Sequence, residues 1–409
     1  MSLSIEQLYQ LYLQCAAVST DTRKITPNCL FISLKGPNYD ANQFAKEALS
    51  KGARYALVDD ESYADDDRTY LVDNGLEALQ ELAKFHRQTL KIPVVGITGS
   101  NGKTTTKELI HQVLSTTYKT FATRGNLNNH IGVPLSVLSI TSETQMAVIE
   151  MGANHVGEIA GLCQISQPSH GLITNIGRAH IEGFGGIEGV IRGKSELYQH
   201  LLEHQGVVFI NSEDPILSNM AKRFDRPILY PANGDYLNIE LIGSDPFMTF
   251  RGEGGKEIRT QMIGDYNFYN AAAALCIGKF FEVPTELAEQ AVANYLPTNN
   301  RSQIIAKGSN TIILDAYNAN PSSMNAALEN LLNMDAQQKV VILGDMLELG
   351  DESPSAHSDI VARTSAGINQ VMLCGPLMGQ AQKSNPDAIH FQDKSQLIQF
   401  LKEHPMHHT

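Results

Sequence analysis

The chain has 409 residues, 42% of them hydrophobic and 18% charged, with a formal net charge of −13. That length exceeds one average domain, and the composition supplies ample core, which excludes global disorder. The acidic balance argues against nucleic acid or an anionic membrane as partner, so a phosphate-rich ligand must be small and held by local cations and backbone amides.

Met1 to Gln10 is polar, without the pattern of a secretory signal, and no apolar run reaches bilayer length. A soluble, cytoplasmic protein is expected. Leu30–Leu34 and Tyr55–Val58 read as strands, with a helix over Ala41–Ser50 between them. The acidic run Asp59–Asp67 reads as a solvated turn or loop. A helix from Leu76 to Leu90 then leads to Lys91-Ile92-Pro93, the first expected boundary, giving a small N-terminal α/β domain over 1–91. From Val94 onward, strands Val94–Thr98, Ala147–Glu150, Gly171–Asn175 and Val207–Asn211 alternate with helices. That alternation predicts a mainly parallel sheet with helices on both faces.

Helix Phe268–Phe281 closes this central domain, taken as 92–298, and Leu296-Pro297-Thr298-Asn299-Asn300 is loop chemistry at its edge. Strand Thr311–Leu314, helix Ser322–Leu332, strands Val340–Leu343 and Gln370–Cys374, and helix Lys394–Glu403 follow. They predict a smaller, Rossmann-like βαβ domain over 299–409. Five scattered cysteines (Cys15, Cys29, Cys163, Cys276, Cys374) without metal-ligand spacing read as free thiols in a reducing compartment. His404, His407 and His408 read as a frayed tail.

The chemistry concentrates in Gly96-Ile97-Thr98-Gly99-Ser100-Asn101-Gly102-Lys103-Thr104-Thr105-Thr106, between strand Val94–Thr98 and a helix over Thr105–Leu114. A strand, a glycine loop and a helix start in this order cradle a nucleotide triphosphate. Gly99 and Gly102 let backbone amides approach phosphate, and the helix N-terminus favours negative charge. Lys103 would reach the β/γ-phosphates, and the Thr104 hydroxyl would sit on Mg²⁺. The strict pattern has glycine where Ile97 stands, so this is a variant loop. Ligands of open α/β sheets gather at the carboxyl ends of strands. Glu150 ends one such strand, where a carboxylate could share Mg²⁺ with Thr104. His180 lies in the loop after the next strand. Lys194, in Gly193-Lys194-Ser195-Glu196, reads on its own as a solvated helical lysine.

Gly99 to Thr106, Glu150-Met151-Gly152, Asn175-Ile176-Gly177-Arg178-Ala179-His180 and Gly193-Lys194-Ser195-Glu196-Leu197 occur in the order seen in Mur ligases, and the Ile97 departure also resembles that family's loop. Three stretches resemble the branch that adds D-alanyl-D-alanine to UDP-N-acetylmuramoyl-tripeptide. They are Arg124 to Pro134, Asp315-Ala316-Tyr317-Asn318-Ala319-Asn320-Pro321-Ser322-Ser323-Met324, and Gly344-Asp345-Met346-Leu347-Glu348-Leu349-Gly350. Ser19 to Arg23 and Leu30 to Gly36 extend the resemblance to the N-terminus. It implies an ATP-dependent amide-forming ligase of peptidoglycan precursor synthesis, acting through an acyl phosphate as a monomer.

The resemblance implies that Gly99, Ser100, Asn101, Gly102, Lys103, Thr104 and Thr105 hold the ATP phosphates. Thr104 and Glu150 would take a first Mg²⁺ and His180 would help hold a second. Lys194 would be carbamylated by CO₂, becoming an anion that supports the metals. Asn270 would contact adenine, Arg301 the phosphates and Asp315 the ribose. Thr22 and Arg23 would lie near the uridine, and Asn126, Asn128 and Asn129 near the sugar and pyrophosphate. Turn and cap roles are the alternative for those asparagines. Tyr266 stands where many members carry histidine. Members usually carry a Lys-Gly-Ser-Arg motif near the C-terminus, and His407-His408-Thr409 stands here without it. Competing readings are a family member that adds a diamino acid, a folylpolyglutamate synthase-like ligase, and a P-loop ATPase that ligates nothing.

Overall fold

The computed structural model describes residues 3–298 and 300–409; Asn299, in the expected boundary loop, lies outside the described residues, as do Met1 and Ser2. Around the glycine loop the architecture is mixed α/β. The central sheet has six parallel strands in the order Ile228–Tyr230, Val207–Asn211, His170–Ile173, Val94–Thr98, Met146–Glu150, Thr120–Ala122. Val94–Thr98 is in the middle and buried throughout, which suits its β-branched run. Register pairs Ile97 with Glu150 on one side and Thr98 with Ile173 on the other, so three strand ends finish at one level. The expected site residues converge for this reason.

Each face of the sheet carries its own core. On one face, helix Lys103–Ser115 packs Leu109, Ile110 and Val113 beside helix Tyr266–Phe280. The run Ala271–Ala274 keeps that second helix slim, and a Cβ on Gly278 would sit 2.5 Å from Val113 Cγ1. This close approach places Asn270 beside the glycine loop. On the other face, helices Glu158–Ser166 and Ile187–Glu203 cover the sheet, and the N-terminal part joins the same core through Leu8, Leu79 and Leu82.

That N-terminal part carries a four-stranded parallel sheet in the order Val18–Ser19, Leu30–Ile32, Tyr55–Val58, Thr69–Leu71. Helix Gly75–Thr89, capped by Asn74, ties it to the central sheet. The His86 ring approaches the Ile140 carbonyl at 2.9 Å, and Arg87 Nε donates to the Ser166 carbonyl at 2.9 Å. Tyr12 donates to the Leu138 carbonyl at 2.8 Å. Asp59 corrects the reading of a wholly solvated acidic run. Its carboxylate is largely buried, pairs with Lys35 at 2.9 Å, and accepts from Asn42 and from the Gly75 amide.

Three further differences concern the second half. Strands Glu240–Ser244, Phe247–Arg251 and Glu257–Ile263 form an antiparallel sheet that the sequence reading passed over. Strand Asn310–Leu314 does not join the C-terminal parallel sheet but pairs antiparallel with Gln303–Lys307. The parallel sheet there is Val340–Gly344, Gln370–Cys374 and Ile389–Phe391. Nor is the histidine tail frayed. The His408 amide donates to Ser309 Oγ, and the Thr311 amide donates to the Thr409 carbonyl. The five cysteines are free, and among the described residues no helix is long and apolar enough to cross a membrane.

Candidate active site

The glycine loop is held from below by the strand that ends beside it. The Ser100 amide donates to the Asn175 carbonyl and the Asn101 amide to Asn175 Oδ1, each at 3.0 Å. Thr174 Oγ1 donates to the Asn101 carbonyl at 2.6 Å. Gly99 has φ +145° and a Cβ there would lie 2.0 Å from Thr174 Oγ1; Gly102 has φ +77° with Asn270 Oδ1 at 2.6 Å from the same construction. Both positions therefore require glycine for conformation and for space. Gly102 is the N-cap and no side chain caps the helix, so its first amides are left to a ligand.

Lys103 folds over the loop, its Nζ donating to the carbonyls of Gly99 at 2.7 Å and Ser100 at 3.0 Å. Burial, then repulsion from Arg301, pull its ammonium below the ordinary lysine range, while Glu150 opposes them. Thr104 Oγ1 donates to the buried Glu150 carboxylate, 3.2 Å from Oε1 and 3.0 Å from Oε2. Paired hard oxygens at a phosphate loop suit Mg²⁺. His180 stands apart from them. Its Nδ1 makes a short contact with Glu348 Oε2, and burial holds its pKa below the usual histidine value although Glu348 raises it. Among the described residues no three His, Cys, Asp or Glu side chains gather as a metal cluster.

One cavity of about 920 Å³ joins these groups. Its lining includes Gln80, Glu81 and Lys84 from the N-terminal part, the 100–105 loop, Glu150 and Asn270 from the central part, and Arg301 and Asp315 from the C-terminal part. Arg301 lays its guanidinium 3.8 Å above the Tyr317 ring, and its buried Nε has no hydrogen-bond partner among the described residues. A buried, unsatisfied cationic donor facing a cavity fits an anionic ligand. Burial raises the Asp315 pKa. Asn270 is already engaged: Oδ1 accepts from Thr106 and Nδ2 donates to Asn267, leaving one Nδ2 hydrogen for a ligand. The Tyr266 hydroxyl and Ser302 Oγ, next to Arg301, are hydrogen-bonded at 2.7 Å.

The remaining expectations divide. Lys194 is 1% exposed, so the solvated reading fails. It lies behind the cavity wall, donates to the Ala153 carbonyl at 3.1 Å and stands over the Phe184 ring. Burial and then Lys103 bring its pKa down to about 7, against the opposing Glu158 and Glu196. Asn128 and Asn129 reach the cavity, but Asn128 Nδ2 donates to Glu150 Oε1 at 2.8 Å and Asn129 Oδ1 caps the Ile131 and Gly132 amides. Thr22, Arg23 and Asn126 lie off this wall; Arg23 is exposed and paired with Asp21 at 2.9 Å. The sequence did not single out Lys107, whose ammonium is buried 3.7 Å from Glu150 Oε2; the readable signal was its position one helical turn past Lys103 in the phosphate helix.

Residues 97–278 match the family described as Mur ligase middle domain, and 300–405 match Mur ligase, glutamate ligase domain. The chain is 36% identical over 398 residues to the UDP-N-acetylmuramoyl-tripeptide–D-alanyl-D-alanine ligase of Bacillus subtilis (strain 168), covering 94% of this chain and 87% of that one. The Escherichia coli (strain K12) enzyme of the same name is 35% identical, with the same coverage of 94% and 87%. A solved MurF structure from Acinetobacter baumannii superposes with a TM-score of 0.86 at 31% identity, covering 99% of this chain and 94% of that one. MurF ligase from Thermotoga maritima, solved in complex with ADP, gives 0.85 at 25% identity, with coverage of 97% and 93%. Variant glycine loop, strand-end glutamate and sheet order agree with this likeness over nearly the whole length, and the chain belongs to the Mur ligase family, on the branch of the UDP-N-acetylmuramoyl-tripeptide–D-alanyl-D-alanine ligases.

Proposed function

We propose that this chain is an ATP-dependent ligase that joins D-alanyl-D-alanine to UDP-N-acetylmuramoyl-tripeptide. One observation carries the reading: a single cavity of about 920 Å³ is lined by Lys84, by Lys103, Thr104 and Glu150 at the phosphate loop, and by Arg301 and Asp315. Residues of the N-terminal, central and C-terminal parts thus face one space beside the phosphate loop, as a ligase that brings a nucleotide to a long anionic acceptor requires. The family likeness and the ADP held by the Thermotoga maritima relative support the same assignment.

In this reaction a carboxylate oxygen of the tripeptide attacks the γ-phosphorus, the bond to the β-phosphate oxygen breaks, and ADP leaves an acyl phosphate. The D-alanyl-D-alanine amine then attacks the acyl carbon, phosphate leaves, and the nitrogen releases a proton. The physical difficulty is that two anions must meet. Lys103 and Arg301 place positive charge where they do so. Thr104 and Glu150 would hold Mg²⁺, which when bound neutralises phosphate oxygens. Asp315 would accept from the ribose, and Asn270 would present its remaining amide hydrogen to the base. Orientation of the two reactants contributes on the order of 7–11 kcal/mol.

Lys194 would carry a carbamate, formed when its free amine attacks CO₂ and loses a proton. A pKa near 7 leaves a large share of that amine free at neutral pH, unlike an ordinary lysine. His180 would serve a second metal only after leaving Glu348. A cytoplasmic location and a monomeric state complete the proposal. The test is incubation with ATP, labelled D-alanyl-D-alanine and UDP-N-acetylmuramoyl-tripeptide in lysine and diaminopimelate forms. The expected result is a pentapeptide product with one ADP and one phosphate each. Absence of product with both forms would sink the proposal, and ATP turnover that needs neither substrate would favour a plain ATPase.

A further inference from the structure

Glu150 is clamped from two sides. Asn128 Nδ2 donates to Oε1 at 2.8 Å, and the Lys107 ammonium lies 3.7 Å from Oε2. Lys107 Nζ also lies 3.9 Å from Glu108 Oε1, and Glu108 Oε2 accepts from the Tyr295 hydroxyl at 2.6 Å. The Lys107 and Glu150 side chains are 3% and 2% exposed, so this pairing is hardly screened by solvent. Tyr295 caps helix Thr285–Asn294 and opens the segment that leads to Arg301. Charged and polar groups thus run from the strand-end carboxylate, through the phosphate helix, to the connection with the C-terminal part.

Building on the ligase reading, we propose that Lys107 is a positioning residue. It fixes the plane of the Glu150 carboxylate toward Thr104 and ties it through Glu108 and Tyr295 to the segment bearing Arg301. Nothing places Lys107 against a reacting atom, so it acts through Glu150. The arrangement has a distinctive consequence. A cation this close to Glu150 weakens the carboxylate's attraction for a divalent ion while holding it in the productive orientation. Removing the cation should therefore tighten metal binding and slow ligation together, a pair of effects that general loss of structure would not give.

The test compares the wild type with Lys107→Met, which removes the cation, and with Lys107→Arg, which keeps it. Mn²⁺ binding to the ATP-free protein is followed by electron paramagnetic resonance, thermal melting reports folding, and ligation gives kcat and KM. Lys107→Met is expected to bind Mn²⁺ several-fold more tightly and to lose at least ten-fold in kcat, with the KM for the UDP-peptide within two-fold. Lys107→Arg should stay within two-fold of the wild type in Mn²⁺ binding and keep most of kcat. Unchanged or weaker Mn²⁺ binding in Lys107→Met would overturn the assignment, as would a Lys107→Arg protein that binds Mn²⁺ as Lys107→Met does. The Mn²⁺ titration needs no ligase substrate, so it judges Lys107 even if the wild type fails to ligate, a failure that would refute the proposed function instead.

Discussion

At the scale of single residues, burial favours the neutral amine of Lys194 over its ammonium. Desolvation first and Lys103 second bring its pKa to about 7, against an ordinary lysine value near 10.4. The unfolded chain therefore binds more protons than the folded one between these values, and stability rises with pH across that window. In CO₂-free buffer, Lys194→Met is expected to remove this rise and to gain roughly 2–5 kcal/mol at pH 7, read from denaturant midpoints at pH 7 and pH 10. A variant whose midpoint still climbs with pH would assign the slope elsewhere. In ¹³C-bicarbonate the wild type should show a carbamate resonance that the variant lacks. Lys194→Ala should lose ligation and regain part of it with added short carboxylates; full activity without them would count against the carbamate. His170 acts with the same sign in a more acidic window. Burial against Phe209, Phe280 and Phe281 lowers its pKa to about 4, so it stays neutral in the fold. Its stabilising effect is whole above pH 6.5 and is lost as pH falls toward 4, by roughly 3 kcal/mol. His170→Gln should flatten that acid-side decline in urea titrations, and an equally steep decline would refute the attribution.

At the scale of elements, the glycine loop depends on the helix packed behind it. Gly102→Ala must place a Cβ at φ +77° and 2.6 Å from Asn270 Oδ1. We expect it to cost about 1–2 kcal/mol for the left-handed conformation and to weaken ATP binding at least ten-fold. Calorimetry with ATP on the folded variant checks this, and wild-type affinity would mean the loop has slack the geometry does not show. The same elements explain what could be read beforehand. Strand Val94–Thr98 and the Gly-x-x-Gly-Lys-Thr run declare themselves because buried β-branched residues and left-handed glycines are local requirements. Glu150 was legible as a strand end. The antiparallel sheet was also legible and was passed over: Ile258, Thr260 and Met262 alternate inward between Glu257, Arg259 and Gln261. Other features were beyond reach, because they depend on distant chain segments. Burial of Lys194 needs Phe184 and Ala153 folded over it, and the partner of His180 lies 168 residues away. Strand Asn310–Leu314 looked like part of a parallel sheet because periodicity shows a strand but not its partner.

At the scale of the whole molecule, the C-terminal part is joined to the phosphate loop by few and mostly exposed contacts. Asn320 Nδ2 donates to Asn101 Oδ1 at 2.8 Å, the Arg178 amide donates to Ser322 Oγ at 3.2 Å, Arg178 pairs with Glu352 at 3.7 Å, and His180 meets Glu348. The N-terminal part, in contrast, shares an apolar core with the central sheet and is fastened by buried hydrogen bonds. Movement is therefore expected on the C-terminal side, where Arg301 and Asp315 would be carried toward or away from the phosphate loop. The exposed Arg178–Glu352 ion pair and the His180–Glu348 hydrogen bond contribute up to about 1 kcal/mol each, so removing both should shift an open–closed balance by up to about thirty-fold. Glu348→Gln/Glu352→Gln is expected to raise the radius of gyration of the ligand-free protein in small-angle scattering and to leave its melting temperature nearly unchanged. Because the freed His180 would no longer be held by Glu348, the variant should also need no more Mg²⁺ for half-maximal ligation than the wild type. A compact variant with unchanged scattering would mean that the two glutamates do not hold the parts together, and a higher Mg²⁺ requirement would mean that Glu348 assists the metal rather than competing with it for His180.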